Sequence, residues 1–281
     1  MIETTKRILD RKYDPAKKPP KIDPILEIYS AGRWHSVARK NSLGAVVGRM
    51  KSRKTLIMSY IVASAISRKD VNIFRCIPNP DPNSYIIYVD TEQSMSDFYT
   101  TQERIRKISG LDVMPENYIA VPTLGESKYD TRMFIVDLLD SLIRDGKKIG
   151  SLFVDGVVDI CDDYMSNVKA EEAIKILHNY TNTVDLVMTV LHLNKDGKET
   201  RGALGTELDN KCGFQIKVEK KLEEDTFSRI SSKLSRSFSN FPSTTVYQQE
   251  NGFLRDVPEL LNYIDKEDDS EESTFSSDLP F

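Results

Sequence analysis

Short apolar runs alternate with helical patterns along most of this chain. Runs at 44–47, 85–89, 118–121, 151–154 and 186–191 have the length and composition of buried strands. Between them, residues 54–67, 95–109, 131–145 and 170–180 carry apolar positions at helical spacing. This alternation predicts an α/β fold with a mainly parallel sheet covered on both faces by helices. In such sheets ligands bind beyond the carboxyl ends of the strands. From residue 214 to 248 the pattern shifts to shorter alternating segments (FQIKVEKK, TFSRISSK, STTVYQQ), which predict antiparallel strands added at one edge. No repeat is apparent. A Lys- and Pro-rich arm over 1–24 precedes one main domain over 25–255, and a tail over 256–281 is expected to be disordered.

The strand-to-helix step at VVGRMKSRKTLI is the first candidate for chemistry. In a phosphate-binding loop the lysine follows the first glycine by six residues, which turns backbone N–H groups toward the phosphates and brings the ammonium to their β and γ oxygens. Counting from Gly48 gives Lys54, followed by Thr55 with a hydroxyl for Mg²⁺, whereas counting from Gly44 gives Met50. Arg53 stands where the second glycine of the pattern belongs. Where the backbone tolerates a side chain there, anion binding survives and Lys51 and Arg53 add positive potential. The candidate nucleotide contacts are therefore Gly48, Lys51, Ser52, Arg53, Lys54 and Thr55. The alternative is a basic turn without a ligand.

Three further strand ends carry polar groups. IGSLFVDG ends in Asp155, placed to hold Mg²⁺ beside Thr55. YIIYVDTEQS ends in Asp90 and Glu92. Glu92 is a candidate general base for the water that attacks a γ-phosphate, although Asp-Thr after a strand is also a helix-capping signature. LVMTVLHLNK ends in His192 and Asn194, suited to sensing a phosphate. The loop that follows offers Lys195, Lys198 and Arg201 to a nucleic-acid backbone, with a solvated loop as the plain alternative.

Composition narrows the class further. The 281 residues are 39% hydrophobic and 29% charged, and no apolar run reaches the 18 or so residues of a membrane span. The N-terminal residues lack the apolar core of an export signal, so a cytoplasmic location is expected. Cys76, Cys161 and Cys212 have no metal or disulfide spacing and read as small buried residues. The net charge of −4 is uneven: residues 265–281 hold seven acids against Lys266 alone, leaving +2 on the remainder. That near-neutral body leaves room for a local basic surface.

Taken in order, GRMKSRKT, YVDTEQS, LFVDG and VLHLNK followed by RGALGTEL resemble the RecA-like ATPases of the RepA type, ring-forming replicative helicases carried on bacterial mobile elements. The resemblance spans about 25–255. It implies a RecA-like P-loop core using ATP and Mg²⁺, with Lys54 and Thr55 on phosphate and metal, Asp155 on the metal, Glu92 catalytic and His192 the sensor. It further implies a homo-oligomeric ring, expected to be a hexamer, that moves on single-stranded DNA. A basic finger would enter the neighbouring subunit's site, with Arg236 first and Lys233 second as candidates. The relatives share the K-S-[RK]-K-[ST] loop, so Arg53 is expected to be compatible with a working site. The final SSDLPF resembles the tip of bacterial single-stranded DNA-binding proteins, which implies that Asp278, Leu279, Pro280 and Phe281 dock on a replication or repair protein. The competing expectation is a nucleotide-switched DNA-binding adaptor or recombination mediator with little motor activity.

Overall fold

The computed structural model of the chain describes residues 23–194, 197, 199–220 and 226–255, together with Thr5, Leu9 and Lys12. Most of the expected arm and the acidic tail with Asp278, Leu279, Pro280 and Phe281 lie outside the described residues, as do Lys195 and Lys198.

In chain order the elements are β1 (Pro24–Ser30), β2 (Arg33–Arg39), β3 (Ser42–Gly48), α1 (Lys54–Ser67), β4 (Asp70–Val71), β5 (Phe74–Cys76), β6 (Tyr85–Asp90), α2 (Met95–Ile108), β7 (Tyr118–Pro122), α3 (Lys128–Arg144), β8 (Ile149–Asp155), a 3-10 turn (Val157–Ile160), α4 (Asn167–Tyr180), β9 (Val184–His192), α5 (Gly202–Lys211), β10 (Phe214–Lys220), β11 (Phe227–Ser235) and β12 (Thr244–Tyr247). The main sheet runs β12-β11-β10-β3-β9-β8-β6-β7. Its strands from β10 to β7 are parallel, and β11 and β12 add antiparallel at the β10 edge. The fold is thus α/β, with a mixed and mostly parallel sheet. One expectation needs correction: FQIKVEKK, read as antiparallel, pairs parallel with β3 and becomes antiparallel only toward β11.

Side chains of the central strands alternate between two cores. Val46, Tyr88, Phe153 and Met188 face α1 and α2, whereas Val47, Val89, Val154 and Val187 face α3, α4 and α5. The strands are apolar on both faces because helices cover both. Helix α1 is the most enclosed element, with Leu56 through Ile66 buried without interruption. It is apolar on every side because it lies between the main sheet and a second antiparallel sheet, β2-β1-β5-β4, from which Leu26, Ile28 and Phe74 join the same core. That small sheet and α5 had no counterpart in the sequence reading. Helix α5 occupies residues read there as a basic loop, and it buries Leu204 and Leu208. The three cysteines are buried and free.

Candidate nucleotide site

The chemistry-bearing segments leave the carboxyl ends of adjacent parallel strands. Gly48 ends β3 and is paired with His192 at the end of β9, while Asp90 ends β6 and is paired with Asp155 at the end of β8. Because β9 lies between β3 and β8, His192 falls between the loop after Gly48 and Asp155. Gly48 has to be glycine: a Cβ there would lie 2.4 Å from both Ser52 Oγ and Val218 O.

From Gly48 the chain turns through Lys51 (φ 60°) and Arg53 (φ 70°), both left-handed, into α1. A non-glycine residue in that region costs about 1–2 kcal/mol. Arg53 accepts that conformation but does not face the centre of the site. Its guanidinium donates to Gln248 Oε1 (2.6 Å), Ser228 Oγ (3.0 Å) and Phe227 O (3.3 Å), groups of β11 and the segment after β12. The expected extra positive potential is therefore turned toward the edge strands. Lys51 is exposed, whereas the Ser52 hydroxyl is buried and has no hydrogen-bond partner among the described residues.

Lys54 is 6% exposed, and its ammonium donates to Arg49 O (2.9 Å) and His192 Nδ1 (2.9 Å). Burial pulls its pKa down to about 8, against the opposing pull of Glu92 and Asp155. Since Nδ1 of His192 accepts from Lys54, the ring proton of the neutral imidazole sits on Nε2. That nitrogen lies 3.9 Å from Glu92 Oε1. Burial, then the Lys54 and Arg201 charges, lower the His192 pKa to about 4, so the imidazole is neutral at pH 7.

Two buried carboxylates complete the edge. Asp155 accepts from Thr55 and from the fully buried Tyr88 hydroxyl (2.9 Å). Asp90 Oδ1 accepts the backbone N–H groups of Glu92 (3.1 Å) and Gln93 (2.9 Å), and its Oδ2 has no partner among the described residues. Burial pushes each pKa up to about 6. Burial also raises Glu92, with Asp159 reinforcing the shift and Lys54 opposing it. Capping does not occupy Glu92, because α2 is capped by Ser94, whose Oγ accepts from Asp97 N. Gly156 (φ 111°) allows the close approach of this segment: a Cβ on it would lie 2.1 Å from Thr91 Oγ1 and 2.9 Å from Glu92 Cγ.

Arg201 adjoins the cluster through its backbone, its N–H donating to His192 O (3.2 Å), but its exposed side chain turns to the Tyr164 ring and donates to the Tyr164 hydroxyl (3.2 Å) at the start of α5. The remaining candidates lie apart. Arg236 follows β11 at the amino end of the sheet, where Ser235 pairs with Phe214 and Phe214 with Gly44. It donates to the carbonyls of Cys212 (2.8 Å), Asp209 (3.1 Å) and Asn210 (3.1 Å), which makes it the C-terminal cap of α5. Lys233 donates to Asp209 Oδ2 (2.9 Å) and Gln215 Oε1 (3.0 Å). Both finger candidates are thus committed within their own chain. Tyr88, Ser228 and Gln248 are supporting residues without a signal in the sequence, and Asp90 and Thr91, expected as a helix cap, instead hold the Glu92 segment and the end of β8. Only Asp90 and Thr91, at a strand end beside Glu92, carried a signal.

Comparisons with protein-family models and with curated proteins return no match.

Proposed function

We propose that the chain is a P-loop ATPase with a RecA-like core that binds ATP with Mg²⁺ at this edge and hydrolyses it. The observation that carries the reading is the convergence of Lys54, Thr55, Asp155, Glu92 and His192 at the carboxyl ends of adjacent strands, with Ser52 Oγ and Asp90 Oδ2 buried and without partners among the described residues. Unpartnered buried polar atoms cost about 1–3 kcal/mol each. A polar ligand offsets that cost, and a basic turn without a ligand does not.

The donors present fit Mg²⁺, a hard cation that takes a hydroxyl and one or two carboxylates and completes its shell with phosphate and water. Among the described residues no group of three or more His, Cys, Asp or Glu side chains could hold a metal alone. Thr55 and Asp155 would hold the ion, which when bound neutralises charge on the β and γ oxygens. Lys54 would transfer its hydrogen bonds from Arg49 O and His192 to phosphate oxygen. Glu92, with its affinity for a proton raised, would take the proton of the attacking water. Neutral His192, with Nε2–H toward Glu92, would report the phosphate's presence to the loop after β9.

Hydrolysis would drive a ring of subunits along single-stranded DNA. Exposed Met50, Met95, Tyr99, Leu124, Tyr129 and Met165 all lie on segments that leave the carboxyl ends of the strands, which supports a partner subunit at that edge. The capping role of Arg236 favours the second reading, a nucleotide-switched DNA-binding adaptor, since a finger role would break three hydrogen bonds.

Steady-state ATP hydrolysis with and without single-stranded DNA separates the two. Turnover stimulated by DNA and lost in Lys54→Ala and Glu92→Gln supports the motor. Tight ATP binding without turnover on DNA overturns it in favour of the switch.

A further inference from the structure

Arg53 raises a question that the nucleotide reading alone leaves open: why a long cation occupies a left-handed position for which glycine is the ordinary choice. Its side chain crosses to the antiparallel edge of the sheet, where Gln248, Ser228 and Phe227 O receive it. These acceptors are fixed. Ser228 is buried and paired with Val246, and Gln248 is held by its backbone N–H on Thr226 O (2.9 Å) and its side-chain Nε2 on Gly252 O (3.2 Å). The latter bond orients the amide so that Oε1 faces Arg53 Nε. Strand β11 pairs with β10, whose Val218 is in register with Gly48, so the edge strands also adjoin the base of the phosphate loop.

We infer that Arg53 is a positioning residue that clamps the phosphate loop to β11 and the segment after β12, so that the loop's anion-binding shape depends on Gln248, 195 residues further along the chain. The inference rests on the nucleotide reading of the loop. The clamp does with fixed hydrogen bonds what a second glycine does with conformational freedom. A planar guanidinium suits this task because it reaches acceptors on β11 and on the segment after β12 at once.

The test uses the full chain and Gln248, whose side chain accepts from Arg53 Nε and lies outside the loop itself. Binding of mant-ATP with Mg²⁺, thermal midpoint and amide hydrogen exchange over residues 49–57 are measured for wild type, Gln248→Ala, Gln248→Glu, Arg53→Gly and the double variant Arg53→Gly/Gln248→Ala. The clamp predicts that Gln248→Ala weakens mant-ATP binding about five- to tenfold and speeds exchange in the loop, with a thermal midpoint close to wild type. Gln248→Glu keeps an acceptor for Arg53 but loses the Nε2 bond to Gly252 O, so its binding and exchange fall between those of Gln248→Ala and wild type. The double variant binds no more weakly than the weaker single. Wild-type binding and exchange in Gln248→Ala would overturn the inference, as would multiplying losses in the double variant. Absence of mant-ATP binding in wild type would sink the nucleotide reading instead. Exchange then decides the clamp alone: faster exchange in Gln248→Ala sustains the tie, and unchanged exchange removes it.

Discussion

Lys54, His192 and Glu92 form a line of contacts across the carboxyl edge of the sheet, with 2.9 Å from ammonium to Nδ1 and 3.9 Å from Nε2 to the carboxylate. The roles proposed for them separate on substitution. Glu92→Gln keeps shape and removes the base, so turnover should fall about 10²- to 10⁴-fold while nucleotide affinity changes little, as read from single-turnover hydrolysis and equilibrium binding. Asp90 makes a different prediction. Its pKa is raised in the fold to about 6, so its favourable contribution is complete below the unfolded carboxylate value and is lost as pH rises through 6. Asp90→Asn keeps the acceptor for the Glu92 and Gln93 N–H groups and removes that loss. Thermal midpoints taken without Mg²⁺ should place the variant above wild type at pH 8, with the gap narrowing as pH falls below 6. His192 titrates in the opposite sense, its contribution being lost as pH falls through about 4, but it is common to both proteins and cancels in the comparison.

Helix α1 links the loop to the core, and its bounds match those expected from apolar positions at helical spacing. Ile61 is fully buried between the two sheets, so Ile61→Ala should cost about 2–5 kcal/mol in urea unfolding with an unchanged slope. The strand ends and the lysine spacing were legible because buried parallel strands are written as continuous apolar runs ending in polar groups. Other elements left weaker marks. Helix α5 contains Gly202 and Gly205 and buries two leucines, too sparse a stripe to stand out from a basic loop. Strands β4 and β5 have two and three residues, below the length at which alternation can be read. The Arg53 contacts join residues 174 to 195 apart, and pattern along the chain carries no information about such a pairing. The same limit hid the task of Arg236, whose three carbonyl partners lie 24 to 27 residues earlier.

At the scale of the whole molecule, exposed apolar side chains lie on segments that leave the carboxyl ends of the strands, the edge that holds the candidate site. Among the described residues no helix is long and apolar enough to cross a membrane. A second copy of the chain, completing the edge, is the proposed cover for those side chains. Sedimentation with Mg²⁺ and a non-hydrolysable ATP analogue should show a species about six times the 32.0 kDa of one chain, and Tyr129→Ser with Met165→Ser should shift it toward smaller species without lowering the thermal midpoint. The central claim lies beneath assembly and movement on DNA, in whether this edge takes a nucleotide at all. Isothermal titration of the purified chain with Mg²⁺ and the same analogue tests it most directly. The account predicts one site per chain in wild type and an affinity about 10- to 100-fold weaker in Lys54→Ala, the loss of hydrogen bonds from a charged donor. Equal heats in the two proteins, or none in wild type, would contradict it.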